Sequence, residues 1–159
     1  MGKVIAAITT SVDGYVVGPQ DGPEHGLGVG GERLHYWVMG GPWTYADHAD
    51  PNGMQGADRD YYEALIDGVR SGIVGRNMYE AAGAWGGSDG SVSLGGGADL
   101  IRQGLRAGVV DELGISTTPV VLGRGKLLFD GFDQDLDLEI LGTWSFRYAT
   151  HVRYAVQRP

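Results

Sequence analysis

Three consecutive glycines, Gly95-Gly96-Gly97, follow the short apolar run Val92-Ser93-Leu94 and lead into Ala98-Asp99-Leu100-Ile101. Leu100, Ile101 and Leu105 recur at helical spacing, so the stretch reads as a buried strand turning sharply into a helix. Such a turn has a chemical use. Glycines permit positive φ and let a ligand approach the backbone without a Cβ in the way. The free N–H groups and dipole of the helix start then favour an anion such as a pyrophosphate. The same residues also make a tight connection with no ligand, and an isolated Gly-Gly-Gly fits that reading equally well. A second strand-to-helix turn, Gly75-Arg76-Asn77-Met78-Tyr79-Glu80, carries an arginine at its tip.

Other chemistries have weaker support. Gly26-x-Gly28-x-Gly30-Gly31 mimics a dinucleotide fingerprint, but no strand precedes it. Asp47-His48-Ala49-Asp50 could suggest a metal, yet no further histidine stands at ligand spacing, and a solvated loop explains it; no metal is expected. The serines lack a Gly-x-Ser-x-Gly setting, which leaves acyl transfer without support. The absence of cysteine removes thiol nucleophiles, thiolate metal sites and disulfides. His151, on an alternating segment, reads as structural or as part of a subunit contact.

The elements that must position these turns follow from the apolar pattern. Val4-Ile5-Ala6-Ala7-Ile8 is apolar on both faces, as in a central strand covered on both sides. Asp13-Gly14 is a turn dipeptide, and residues 19–31 are a Gly- and Pro-rich loop of the length that binding loops and lids use. Helices are expected over 32–39, with Leu34, Trp37 and Val38 on one face, and over 57–69, through Tyr61, Leu65 and Val69. A polar loop, 43–56, separates them. Residues 71–76 give a brief strand, and the helix after Gly97 should end near Ala107-Gly108. A strand over 109–117, a surface turn at 120–126 and a C-terminal antiparallel hairpin complete the chain. The hairpin rests on the alternation of Leu136, Leu138 and Ile140, then of Phe146, Tyr148, Val152, Tyr154 and Val156. The expectation is one α/β domain over 1–159 with a mixed sheet.

Composition narrows the partners. At 159 residues and 42% hydrophobic content, one domain with a real core is expected. A net charge of −8 argues against nucleic acid or an anionic membrane as the main partner. No apolar run approaches the roughly 20 residues of a membrane span. Met1-Gly2-Lys3-Val4-Ile5 begins a strand directly, without a signal peptide, so a cytoplasmic protein is the expectation.

Taken in order, Ile5-Ala6-Ala7, Ser11-Val12-Asp13-Gly14, the turns at Gly75 and Gly95, residues 107–113, residues 119–125 and Thr150-His151-Val152-Arg153-Tyr154 resemble the dihydrofolate reductase-like superfamily. The closer likeness is to the reductase domain of bifunctional riboflavin-biosynthesis enzymes, and it covers almost the whole chain. The resemblance implies a three-layer fold, a mixed central sheet flanked by helices, and an NADPH-dependent reductase. By position, Gly95, Gly96, Gly97 and Ala98 would hold the pyrophosphate. Gly75, Arg76, Asn77 and Met78 would sit by the adenosine, where a guanidinium can grip a 2′-phosphate. Ala7 would offer its backbone to the nicotinamide carboxamide. Asp13, Gly14, Val17 and Gly18 would form a flap over nicotinamide and substrate, with Asp13 either the proton donor or merely the shaper of its own turn. Trp37 would be a wall of the substrate pocket or part of the core. Homodimerisation through the C-terminal strands is expected as well, with Trp144, Phe146 and Tyr148 offering aromatic surface.

Two departures from the family pattern stand out. Dihydrofolate reductases carry a carboxylate on the helix after the first loop, and here Glu32-Arg33-Leu34-His35-Tyr36-Trp37 has no acid at the matching place, which argues against folate reduction. Relatives also carry two further strands and a helix between Trp85-Gly86-Gly87 and the glycine turn, where this chain has only residues 88–91. The resemblance therefore implies hydride transfer to a small heterocyclic, pterin- or pyrimidine-like, or carbonyl substrate. The alternative is a nucleotide-binding or dimerisation module of the same fold without turnover.

Overall fold

A computed structural model describes residues 2–47, 53–74, 91–95 and 97–158. Among the described residues there are eight strands: β1 Val4–Ser11, β2 Tyr15–Val17, β3 Val69–Val74, β4 Ser91–Gly95, β5 Glu112–Thr118, β6 Lys126–Leu127, β7 Leu138–Ser145 and β8 Thr150–Val156. The helices among the described residues are α1 Tyr36–Met39, preceded by a 3-10 turn Gly31–His35, α2 Gly56–Ile66, and α3 Ala98–Arg106. Six strands form one sheet in the order β3-β4-β1-β5-β8-β7. The first four are mutually parallel, and β8 runs antiparallel to both β5 and β7. The sheet is mixed, the C-terminal hairpin is antiparallel, and β1 lies at its centre.

Strand alternation divides the core into two layers. Ala6 and Ile8 of β1 and Leu113 and Ile115 of β5 pack with Ala98, Ile101 and Leu105 of α3. The opposite layer gathers Trp37, Met54, Tyr61 and Ala149, with Leu65 and Trp144 against them. There Gly114 of β5 lies directly under Tyr61, whose hydroxyl would stand 2.5 Å from a Cβ at that position. Helices thus flank the sheet on both sides.

Several element boundaries differ from the sequence-based expectation. The second helix stops at Ile66 rather than at 69, because Gly68 turns the chain with φ +74° and Val69 already belongs to β3. Helix 32–39 is a 3-10 turn followed by a single α turn, divided at His35, where φ is −110°. β5 begins at Glu112, since Asp111 leaves the regular ladder and donates its N–H to Val4. Phe146 and Tyr148 form the hairpin turn, closed by Phe146 N–H to Ala149 C=O at 3.0 Å, rather than a strand. β2 and β6 make a small separate sheet that the apolar pattern does not announce.

Candidate functional site

β1 sets the level of the site. Its ladder to β4 runs from Val4 to Ala7 and ends with Ala7 opposite Gly95, whereas its ladder to β5 continues to Ser11 opposite Thr118. On the far side of β4, Val74 pairs with Gly95. Val74, Gly95, Ala7 and Gly114 therefore form one row, and the adjacent strands β3 and β4 end at the same height. Ligands of open parallel sheets bind outside such carboxyl ends.

Ala98, the last residue of the glycine motif, opens α3, and Gly97 is its N-cap. Gly97 has φ −43°, not the positive value that glycine would permit, and it makes no side-chain cap. A Cβ placed on Gly97 would meet nothing within 4 Å. Packing among the described residues thus gives no reason for glycine at this position. The N–H groups of Leu100 and Ile101 both donate to Gly97 C=O, at 3.1 and 3.5 Å, and Asp99 is engaged by Arg102 one turn along. Gly96, Gly75, Arg76, Asn77 and Met78 lie outside the described residues.

The flap is built differently. Gly14 turns with φ +87° and accepts a hydrogen bond from Leu128 N–H at 3.0 Å. Tyr15 and Val17 pair with Leu127 and Lys126. Gly18 donates its N–H to Leu27 C=O at 2.7 Å, and a Cβ there would stand 2.3 Å from the Val29 carbonyl. Internal packing alone thus requires glycine at 18. The Asp13 carboxylate accepts from Ser11 Oγ (2.6 Å), Leu122 N–H (3.1 Å) and Gly123 N–H (2.7 Å). Led by the Ser11 hydroxyl, these donors hold its pKa below the ordinary 3.8. An ionised, fully engaged carboxylate anchors its turn and has no proton to give near neutrality. This geometry favours the turn-shaping role over the proton donor.

Trp37 is only 6% exposed, and its Nε1–H donates to Thr9 Oγ1 at 3.1 Å. It belongs to the core beneath α1 rather than to an open wall. Beside it lies a cluster that sequence reasoning missed. His151 Nδ1 meets Ser116 Oγ at 2.7 Å, and His151 Nε2 meets Asp58 Oδ1 at 2.9 Å. Tyr61 stacks on the imidazole at 4.2 Å, and Trp37 meets it edge-on at 4.7 Å. This serine–histidine–aspartate order is that of a hydrolase triad, but Ser116, His151 and Asp58 are each at most 2% exposed, so no substrate reaches the hydroxyl. The cluster joins α2 to β5 and β8. Burial pushes Asp58 up and His151 down from their ordinary pKa values.

Among the described residues no group of three or more His, Asp or Glu could hold a metal, and no helix is long and apolar enough to cross a membrane. Residues 48–50 of the Asp47-His48-Ala49-Asp50 stretch lie outside the described residues.

Comparison with known proteins agrees with this architecture. Residues 86–152 match the RibD C-terminal domain family. Two uncharacterized Bacillus subtilis (strain 168) proteins are similar. YyaP is 45% identical over 51 residues, covering 32% of this chain and 27% of YyaP. YwjB is 33% identical over 123 residues, covering 77% of this chain and 59% of YwjB. The similarity thus spans less than two thirds of either relative. Among solved structures, a protein from Shewanella sp. PV-4 described as a riboflavin biosynthesis protein superposes with TM-score 0.64 at 19% identity, covering 98% of this chain and 99% of that one. Dihydrofolate reductase from Enterococcus faecalis, solved with NADP(H), superposes with TM-score 0.52 at 12% identity, covering 99% and 98%. At these identities the superpositions speak for the fold. The chain as a whole therefore has a fold similar to that of dihydrofolate reductase and of the Shewanella protein, and residues 86–152 are similar to the RibD C-terminal domain family.

Proposed function

We propose that this protein is a cytoplasmic, homodimeric NADPH-dependent reductase of a small heterocyclic or carbonyl substrate. The observation that carries the proposal is the row Val74–Gly95–Ala7, at which β3 and β4 end side by side, with a helix start at Gly97 where a Cβ would meet no described residue within 4 Å. That opening fits a pyrophosphate lying against backbone N–H groups. Gly95, Gly96, Gly97 and Ala98 would hold it, Gly75, Arg76, Asn77 and Met78 the adenosine side, and Ala7 the carboxamide. The nicotinamide, when bound, supplies the hydride. The chain's part is to orient the ring between the end of β1 and the flap at Asp13, Gly14, Val17 and Gly18, and to exclude water. With Asp13 ionised, the proton that completes the reduction comes from solvent. The whole chain acts as one reductase domain.

A second reading, a nucleotide-binding or dimerisation module without turnover, is favoured by the same engagement of Asp13, which leaves the flap without a free acid.

Titration with NADPH and NADH, followed by nicotinamide fluorescence, tests the proposal. Saturable binding that prefers NADPH is the expected result. Arg76→Ala should weaken NADPH by about tenfold or more while leaving NADH nearly unchanged, as expected for one lost charge-assisted phosphate contact. Equal losses for both cofactors would remove the 2′-phosphate role. A folded protein that binds neither would leave the second reading.

A further inference from the structure

We infer that the Tyr45 hydroxyl tethers the flap from outside, which makes Tyr45 a positioning residue for the nicotinamide end of the site. The identity of that site rests on the function proposed above; the tether rests on geometry alone. Tyr45 stands in the loop between α1 and α2. Its hydroxyl accepts the N–H of Leu27 at 3.0 Å and donates to the C=O of Gly28 at 2.9 Å, so one oxygen grips two successive residues of the 19–31 loop.

The gripped residues are locked onto the flap from their other side. Leu27 C=O accepts the N–H of Gly18 at 2.7 Å, and Val29 N–H donates to Pro19 C=O at 2.8 Å. Gly28, at φ +74°, lies so near that a Cβ on it would stand 2.2 Å from the Gly18 oxygen. Backbone rests on backbone with no side chain between to absorb movement, and a displacement at Leu27 must reach Gly18. Beyond Gly18 the next layer is equally tight, since a Cβ on Gly125 would stand 2.0 Å from the Val17 oxygen. The flap is thus held between the 120–127 segment on one side and Tyr45 on the other.

Tyr45 is itself fixed. His25 and Trp43 meet its ring edge-on at 5.0 Å and 5.4 Å. The loop around it is closed by Asp47, which accepts from Thr44 N–H at 2.6 Å and from Thr44 Oγ1 at 3.1 Å. Burial raises the phenol pKa above 10.0, so the hydroxyl keeps the proton it donates.

Tyr45→Phe keeps the ring and its aromatic neighbours and removes only the grip. Amide hydrogen exchange should quicken about tenfold at Leu27 and at Gly18, while β1 and β5 keep their protection and the Tm hardly moves. NADPH affinity should fall about fivefold to tenfold, and the fluorescence of the bound nicotinamide should drop as the flap loosens. Unchanged exchange at Gly18 would overturn the tether. Quickened exchange with native NADPH affinity and fluorescence would overturn the positioning role. Should the native protein bind no nicotinamide cofactor, the proposed function falls while the exchange at Gly18 still decides the tether.

Discussion

His151 and Asp58, 93 residues apart in the chain, meet at 2.9 Å with their side chains 0% and 2% exposed. The neutral imidazole donates from Nε2 to the carboxylate and accepts at Nδ1 from Ser116, so one histidine stitches α2 to two strands. Asp58→Ala strands a buried N–H and should cost about 2 kcal/mol of unfolding free energy in urea.

The pH dependence of that pair has a definite sign. His151 in the fold has a pKa below its ordinary 6.5, so the unfolded chain takes up a proton first as pH falls through 6.5, and stability declines from there down to the folded value. His35, which burial holds at about 4, acts in the same direction between 6.5 and about 4. Asp58 opposes them, because its pKa is raised above 3.8 and acid relieves the cost of burying its charge. His151→Gln should therefore be less stable at neutral pH, yet lose stability less steeply between neutrality and about pH 5. A slope equal to the native one would show that His151 does not titrate on unfolding.

Asp13 makes a different prediction. As an anchor it ties the β1–β2 turn to the backbone of Leu122 and Gly123, 109 and 110 residues away. Its folded pKa is lowered, so this stabilisation is present above 3.8 and is lost only as pH falls through the lower folded value. Asp13→Asn should quicken amide exchange at Leu122 and Gly123 and leave the pH profile of NADPH oxidation, where turnover occurs, unchanged in shape. Loss in the variant of a fall in activity with rising pH that the native enzyme shows would restore the proton-donor role.

These two aspartates show what the sequence could and could not reveal. β1, β4 and α3 are legible because each is a short apolar run ended by glycine or by a polar step, and that local pattern suffices. The β7–β8 hairpin is legible as alternation. The Asp58 cluster is not, since an acid in the first turn of a helix is equally well a solvated charge favouring the dipole; only the docking of α2 turns it inward. β2 and β6, of three and two residues, depend on each other across the chain and carry no period of their own. Trp37 has the spacing of a core residue, and the structure buries it against Thr9 and His151. The glycines divide likewise, as Gly18 is explained by its neighbours and Gly97 is not.

That division is testable. Gly97→Ala places a methyl into open space on a backbone that any residue adopts, so unfolding should be unchanged within about 0.5 kcal/mol. The same methyl would stand where the pyrophosphate is expected, and NADPH affinity should fall about tenfold or more. Gly18→Ala should do the reverse, destabilising the fold before any ligand is added, because its Cβ runs into the Val29 carbonyl. Native NADPH affinity in Gly97→Ala would remove the glycine turn from the cofactor site.

β7 is an outer strand of the sheet and presents Leu138, Ile140 and Leu141 at 39%, 65% and 49% exposure, with Phe146 at 45% in the adjoining turn. A register shift between Ile140 and Gly142 leaves Leu141 without a partner on β8, so neighbouring apolar side chains both reach solvent. Edge strands of monomers are usually blunted with charge or proline, and here Glu139 is the one charged residue of the strand, already bonded to Gln157. An edge of this kind suits pairing with a second copy of the chain, as proposed above. Sedimentation at micromolar concentration should give a dimer, and Ile140→Lys combined with Leu141→Lys should give a folded monomer, since two lysine charges cannot be buried unpaired in a pairing interface. A native chain that sediments as a monomer would end the dimer proposal, whereas a double variant that stays dimeric would move the interface away from β7.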